Sequence, residues 1–259
     1  MTTSEKIFAI FAQVRREMNG AVAGAMSDRG VRYNLNYGVS LPTIRDIAAP
    51  YAPDHDLAEA LWRQDVREMK IAAIFVDDPS MVTRGQMEKW LEEAPTGELA
   101  ELAAMNLFWR VPQGLFIAGQ WLPGGCANET FAATAFYMAG KLAGADADNG
   151  GEAYMEKRAG AGTEAAAEIE KTTARAAAGC NTTAASRLAT ILSDEKFIPF
   201  IRHAEHAAIA GKAVVYAMRE IYRHRPALRG EIGKMLERLS SDPASQELAE
   251  ELKWQLEYL

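Results

Sequence analysis

The chain has 259 residues, 49% of them hydrophobic, and a formal net charge of -7 at pH 7. This length and apolar content are enough for a sizeable core in one large domain. The acidic balance weighs against nucleic-acid binding, for which a basic domain is the usual footprint, although opposite charges can be segregated to different faces of one molecule.

The cysteines and the hydropathy pattern disfavour two further classes of protein. Cys126 and Cys180 are the only cysteines, and they lie far apart without CxxC spacing, so the sequence predicts neither a disulfide framework nor a cysteine zinc site. No run approaches the ~18 apolar residues that cross a membrane. We therefore expect a cytoplasmic protein without membrane contact, and we expect it to be a monomer.

The N-terminal quarter is predicted to be helical. A first amphipathic helix is expected from Ser4, whose hydroxyl is the predicted cap, to about Met26. A second is expected through Ala49, with Pro42 in its first turn. A short helix from about Asp56 to Arg63 is predicted to follow.

Three more amphipathic helices are predicted between Asp65 and Pro112. The first is closed by Pro79, which cannot continue a helix. The second starts with a capping box formed by Thr83 and Gln86. The third follows the break at 95–97 and ends before Pro112.

The second half of the chain is predicted to be less regular. A short apolar helix from Leu115 to Leu122 precedes the break at 123–125, after which Asn128 is the predicted cap of the next helix. The Ala- and Glu-rich stretch 152–178 follows a polar loop at 144–151 and is predicted to be an exposed helix. Three final helices are expected at about 209–223, 227–239 and 244–256.

The helices are joined by short turns, and no strand-like alternating run separates them. This pattern favours a stack of helical hairpins, in which each hairpin packs mainly on its neighbours. We therefore predict one continuous helical-repeat domain over residues 1–259. The internal repetition is faint: Asp77-Asp78-Pro79 and Ser241-Asp242-Pro243 each follow an apolar helix, without a fixed period.

An ordered series of short segments is similar to the DNA alkylation repair family. The segments are Tyr37 to Ala48, Leu61-Trp62, Arg67-Glu68, Asp77-Asp78-Pro79, Met87 to Trp90, Met105 to Phe108 and, near the C-terminus, Lys212 to Ile221. The resemblance implies an all-α, HEAT-like right-handed solenoid. It also implies a concave basic groove that, in active family members, holds duplex DNA while an alkylated purine is excised.

The resemblance also implies a catalytic carboxylate, which falls on Glu101 in this chain. A carboxylate suits this role because an anion stabilises the positive charge that develops on the sugar as the base departs. Three other family groups are altered: Gly97 stands where a Trp is expected, Thr134 where an Arg is expected, and Tyr216 where a second Trp is expected. An alternative interpretation of Glu101 is a first-turn helix carboxylate favoured by the helix dipole.

The same resemblance implies a DNA-facing set made of Arg45, Arg67, Lys212, Tyr216 and Arg219. The alternative is that the basic residues are solvated surface and that Tyr216 is a core aromatic. The other conspicuous aromatics are predicted to pack rather than to stack on bases; they are Trp62, Trp90, Trp109 and Trp121.

Motifs for other chemistries are missing from the sequence. His203 and His206 are three residues apart but have no third ligand at an obvious spacing, so we predict no metal site. Walker A, GxGxxG, GxSxG and HExxH patterns are absent, and we predict no cofactor. Two functions stay open: a duplex-DNA-binding relative of the alkylation repair glycosylases with weak or absent activity, or a non-catalytic scaffold that binds a protein on its concave face.

Overall fold

The computed structural model describes residues 1–122, 128–145, 194–204 and 210–259, and these ranges contain helices, turns and no strand. The helices are α1 (Thr3–Arg16), α2 (Gly20–Asp28), α3 (Leu41–Ala48), α4 (His55–Trp62), α5 (Arg67–Val76), α6 (Arg84–Glu93), α7 (Gly97–Asn106), α8 (Gly114–Gln120), α9 (Glu129–Ala145), α10 (Ile198–His203), α11 (Gly211–His224), α12 (Arg229–Ser241) and α13 (Gln246–Glu257). The predicted helix at 152–178 and most of the predicted loop before it lie outside the described residues.

The single N-terminal helix that we predicted is two helices. Asn19 separates them: its backbone N–H donates to the Tyr37 carbonyl at 2.7 Å, and its side chain caps α2 by accepting from the Val22 N–H at 3.2 Å. The cap of α1 is Thr2 and not Ser4, because the Thr2 hydroxyl and the Glu5 carboxylate exchange hydrogen bonds with each other's backbone N–H. The predicted continuity of the helix through residues 17–19 and the predicted Ser4 cap were both wrong.

The helix starts predicted from Pro42 and Thr83 are confirmed. Pro42 lies in the first turn of α3, and the Thr83 hydroxyl accepts from the Gln86 N–H at 3.2 Å. Only half of the predicted capping box forms, because the Gln86 side chain instead donates to the Asp77 carboxylate at 2.6 Å. Asp77 follows α5 directly, so this bond ties the end of one helix to the start of the next.

Apart from α2, the described helices form two layers. Layer A consists of α3, α5, α7, α9, α11 and α13, each of which packs beside the next. Layer B consists of α1, α4, α6, α8, α10 and α12, each of which packs against a helix of layer A. The described helices alternate between the layers from α3 to α13, which is the arrangement that a helical solenoid requires. The predicted all-α, HEAT-like fold class is confirmed.

Tryptophans join the helices of layer B. The buried rings of Trp62 and Trp90 are stacked with centroids 4.1 Å apart and an angle of 1° between their planes. The Trp62 indole N–H donates to Glu93 at 3.0 Å, and the Trp90 N–H donates back to Glu59 at 3.2 Å. The packing role predicted for these two tryptophans is confirmed. Within the described ranges, no helix is long and apolar enough to cross a membrane.

Candidate nucleic-acid interface

Three neighbouring helices of layer A, α7, α9 and α11, bring the candidate site together. The closest approach is between α9 and α11, where a Cβ atom added at Gly140 would lie only 2.7 Å from the Tyr216 ring. Because Gly140 has no side chain, the Tyr216 ring lies directly against the α9 backbone. The position of Tyr216 therefore depends on a glycine on the neighbouring helix.

Two tyrosines occupy the middle of this region. The ring centroids of Tyr137 and Tyr216 are 5.8 Å apart, and the planes are tilted by 48°. Burial, together with the charge of Glu101 and a hydrogen bond to its carboxylate, raises the pKa of Tyr137 to about 12. Burial and the nearby charge of Glu220 raise the pKa of Tyr216 to about 12. Both phenols therefore stay protonated at neutral pH.

Arg219 lies on the other side of Tyr216. Its guanidinium carbon is 5.7 Å from the centre of the Tyr216 ring, within the range of a cation–π interaction. Its Nε and Nη2 atoms donate to one oxygen of Glu220 at 3.1 and 3.0 Å. We call Glu101, Tyr137, Tyr216 and Arg219 the Glu101 cluster, which contains three of our six predicted site residues.

Lys212 lies near this cluster, on the same helix face. It is exposed and precedes Tyr216 by four residues and Arg219 by seven, a spacing that places all three on one side of α11. A cation that we did not predict, Lys141, lies one turn after Tyr137 on α9, with its Nζ atom 5.9 Å from the Trp109 ring centre. The cations of α9 and α11 that are not buried are thus Lys141, Lys212, Arg219 and Arg223.

The two other predicted DNA-contacting residues lie elsewhere. Arg45 is exposed on α3, which is separated from α9 in layer A by α5 and α7. Arg67 is 6% exposed, and its guanidinium donates to Glu98 at 2.5 and 3.0 Å and to the Val39 carbonyl at 3.1 Å. The Arg67 side chain therefore holds α5 to α7 and to the segment before α3, and it has no free donor fork for a phosphate.

Glu98 and Glu101 occupy different turns of α7 and have different partners. Because α7 begins at Gly97, the acidic residue of its first turn is Glu98, and Glu101 lies one turn further on. The alternative interpretation of Glu101 as a first-turn carboxylate is wrong, since Glu98 holds that position and binds Arg67. Glu101 is exposed apart from its contact with Tyr137. Within the described residues, no atom beyond the backbone of α7 itself lies within 4 Å of a Cβ built at Gly97, so a side chain has room to start there.

Thr134 faces the protein interior. Its side chain is 0% exposed, and its hydroxyl donates to the Thr130 carbonyl at 2.7 Å. The residue of α9 that reaches the cluster is Tyr137, three positions later. The sequence did contain a signal that could have pointed to Tyr137. Gly140 and Gly144 mark the face of α9 that packs against α11, and Tyr137 lies on that face.

Metal ligands do not converge in the part of the chain that the structure describes: no three His, Cys, Asp or Glu side chains there are placed to hold an ion. The Nδ1 atom of His203 is hydrogen-bonded to the Pro199 carbonyl oxygen at 2.7 Å. His206 lies outside the described residues.

Part of the chain, including α7 of the site, matches a known family. Residues 13–121 match the family model described as DNA alkylation repair enzyme. The sequence resemblance to the DNA alkylation repair family is confirmed. The matched stretch runs from α1 to the end of α8 and contains Glu101, whereas Tyr137, Tyr216 and Arg219 lie beyond it. No curated protein matches the chain.

A solved structure extends the likeness of fold beyond the matched stretch. It has a TM-score of 0.62 and 12% sequence identity, and the alignment covers 94% of this chain and 92% of the other. That protein is described as "A new family of proteins related to the HEAT-like repeat DNA glycosylases with affinity for branched DNA structures". At this identity the likeness establishes the fold, and it places the DNA alkylation repair match within a HEAT-like repeat architecture.

Proposed function

We propose that this protein binds DNA against layer A at the Glu101 cluster, and that its alkylpurine DNA glycosylase activity is weak or absent. The observation that carries the proposal is the cluster of Glu101 on α7, Tyr137 on α9, and Tyr216 and Arg219 on α11; three of its members were selected from sequence resemblance. The family match over residues 13–121 supports a DNA-directed role. The structural neighbour's affinity for branched DNA makes junctions a second form of DNA to test.

The chemistry expected of the cluster is modest. An N-alkylated purine already carries positive charge, so its departure needs mainly an anion near the sugar and groups that hold the nucleotide. Glu101 supplies the anion, and the raised pKa of Tyr137 keeps the neighbouring phenol neutral. The indole expected at Gly97 and the arginine expected at Thr134 are missing, so two positioning groups are lost.

Excision is tested by release of 7-methylguanine from duplex DNA under single-turnover conditions. We expect slow or undetectable release by the wild-type protein, and loss of any residual release in Glu101→Gln. The matched control is Glu92→Gln, which changes an exposed carboxylate of layer B. Robust release that Glu101→Gln leaves unchanged would show that the chemistry lies elsewhere.

Binding is tested separately with a fluorescent duplex and a four-way junction of the same sequence. We expect Lys212→Ala and Arg219→Ala each to weaken binding and to reduce the salt slope by about 1, as expected for one lost phosphate contact. Arg15→Ala is the control, because Arg15 is exposed on α1 in layer B.

A protein-binding scaffold is the competing function, and the net charge of -7 favours it. Under that function neither DNA binds with salt-dependent affinity, and Lys212→Ala and Arg219→Ala have no effect on DNA. The two functions therefore give opposite results in the same titration.

A further inference from the structure

The last helix of layer A has an exposed aromatic face. α13 packs against α11 and α12 through Ala249 and Leu252, which are 1% and 0% exposed. On the opposite face, Trp254 is 55% exposed and Tyr258 is 75% exposed. Their ring centroids are 5.3 Å apart, so the two rings form one continuous apolar surface.

Carboxylates extend this surface along the helix. Three exposed glutamates, Glu247, Glu250 and Glu257, lie seven, four and three residues from Trp254. At these spacings they share the face of α13 that carries Trp254 and Tyr258. α13 contains four glutamates and a single lysine, Lys253. The face therefore combines an aromatic centre with a negative surround.

Tryptophan and tyrosine are among the residue types most enriched where binding energy concentrates in protein interfaces. The other exposed aromatic rings in the described ranges, such as Phe8 and Phe116, lie singly on α1 and α8.

We propose that the α13 face made of Glu247, Glu250, Trp254, Glu257 and Tyr258 docks a basic amphipathic segment of another protein. Apolar side chains of that segment cover the two rings, and its Lys or Arg residues pair with the glutamates. The charge of the face disfavours DNA, since the glutamates repel phosphates. It also disfavours a symmetric second copy, since a two-fold axis would set like charges against each other.

The two parts of the surface contribute in different ways. The rings supply desolvated contact area, and truncating such an anchor costs ~2 kcal/mol or more, which corresponds to about a 30-fold loss of affinity. The exposed glutamates contribute mainly to the association rate and to salt dependence. The proposal does not depend on DNA binding, because α13 lies beyond the Glu101 cluster in layer A.

The experiment uses the full chain and a labelled model peptide, an amphipathic helix of lysine and leucine, titrated at low and at physiological salt. We expect the double variant Trp254→Ala/Tyr258→Ala to bind about 30-fold more weakly. The triple variant Glu247→Gln/Glu250→Gln/Glu257→Gln should lose most of the salt dependence. Phe8→Ala/Phe116→Ala is the matched control and should bind like the wild type. Hydrogen exchange should show peptide-dependent protection in α13.

Three results would overturn the proposal. One is equal affinity of the wild type and the Trp254→Ala/Tyr258→Ala variant, with circular dichroism showing both folded. The second is a concentration-dependent dimer in sedimentation that this double variant abolishes, because the face would then pair with a second copy. The third is a shielded Trp254 in the isolated chain, detected as equal acrylamide quenching of the wild type and Trp254→Phe, because the chain itself would cover the face.

Discussion

At the scale of single residues, burial decides which charged side chains are available for binding. Arg67 and Glu68 are 6% and 0% exposed, and the Glu68 carboxylate accepts from the Tyr37 and Val39 backbone N–H groups at 3.1 and 3.3 Å. Arg67 joins Glu68 to Glu98, so these charges satisfy one another inside the protein. Breaking such a pair costs far more than losing a surface ion pair, because the remaining charge stays buried.

We predict that Arg67→Met lowers the free energy of unfolding by about 3 to 5 kcal/mol, because it leaves Glu68 buried and without its cation. Urea denaturation of the variant and the wild type at pH 7 measures this difference. Arg45→Met is the control and should change stability by less than about 0.5 kcal/mol, because Arg45 is exposed. Similar stabilities for the two variants would refute the structural role of Arg67.

A second prediction at this scale concerns pH. Burial by itself raises the pKa of Glu98, but hydrogen bonds from Arg67 and Tyr33 outweigh it and hold the pKa below its usual value. A depressed pKa in the folded state adds stability above the unfolded-state pKa of about 4.3, and this stability is lost as the pH falls through the folded-state pKa.

The stability difference between wild type and Glu98→Gln should therefore be largest at neutral pH and should shrink as the pH falls below about 4.3. Denaturation series at several pH values measure it. Glu92→Gln, at an exposed position, should show no such trend. A difference that stays constant down to the acid range would contradict the ion-pair account.

At the scale of helices, small residues decide how closely neighbours approach. Gly140 of α9 faces Tyr216 of α11, and an added Cβ would also lie 3.0 Å from the Ala217 Cα atom. Gly233 of α12 has nothing within 4 Å of an added Cβ. The same substitution at these two helical glycines therefore has opposite consequences.

We predict that Gly140→Ala destabilises the protein by about 1 to 3 kcal/mol through overpacking. Gly233→Ala should instead stabilise it by roughly 0.5 to 1 kcal/mol, because alanine favours the helix and has room. Thermal and urea unfolding of both variants measure the signs. Gly140→Ala should also weaken DNA binding, since it displaces Tyr216; unchanged stability and binding would show that α9 and α11 are further apart.

The helices of layer B depend on their tryptophans. Trp90 stacks on Trp62 and donates to Glu59, so Trp90→Ala removes a buried ring and leaves a carboxylate without its donor. We expect a loss of about 3 to 5 kcal/mol in the free energy of unfolding. Trp254→Ala, at a ring that is 55% exposed, should cost less than about 0.5 kcal/mol. Comparable losses in the two variants would place Trp90 outside the core.

At the scale of the whole molecule, few cations remain for phosphate contacts near the Glu101 cluster. Arg67 and Lys70 are 6% and 8% exposed, and Lys70 donates to the Trp62 carbonyl at 2.8 Å. Arg219 shares its charge with Glu220. Among the described residues of α9 and α11, the basic groove that the family resemblance implies is therefore reduced to Lys141, Lys212, Arg219 and Arg223.

We predict a shallow salt dependence of DNA binding, with a slope of log K against log salt no steeper than about -4, as for four or fewer phosphates on duplex DNA. Fluorescence titrations of the duplex across a salt series measure it. Lys141→Ala/Lys212→Ala should flatten the slope, whereas Arg15→Ala/Arg16→Ala on α1 should not. A slope several times steeper would mean that DNA contacts another face.

The sequence by itself determined the helices and their alternation. Pro42, Thr83 and the apolar stripes act over one or two turns, so their effect on local structure does not depend on the rest of the chain. It also selected Glu101, Tyr216 and Arg219 as candidate site residues, through their places in an ordered series of motifs. The N-terminal split was missed because the bond from Asn19 to Tyr37 joins residues 18 positions apart.

Only the tertiary structure decided which of these residues lie together and which are buried. Helical periodicity shows that Arg67 lies on some face of α5, but its burial depends on Glu98, which the sequence separates from it by 31 residues. Tyr137 entered the site because Gly140 lets α11 approach α9, and Thr134 left it because that side of α9 faces the core. These outcomes depend on contacts between helices, and contact energies between distant residues leave no local pattern in a single sequence.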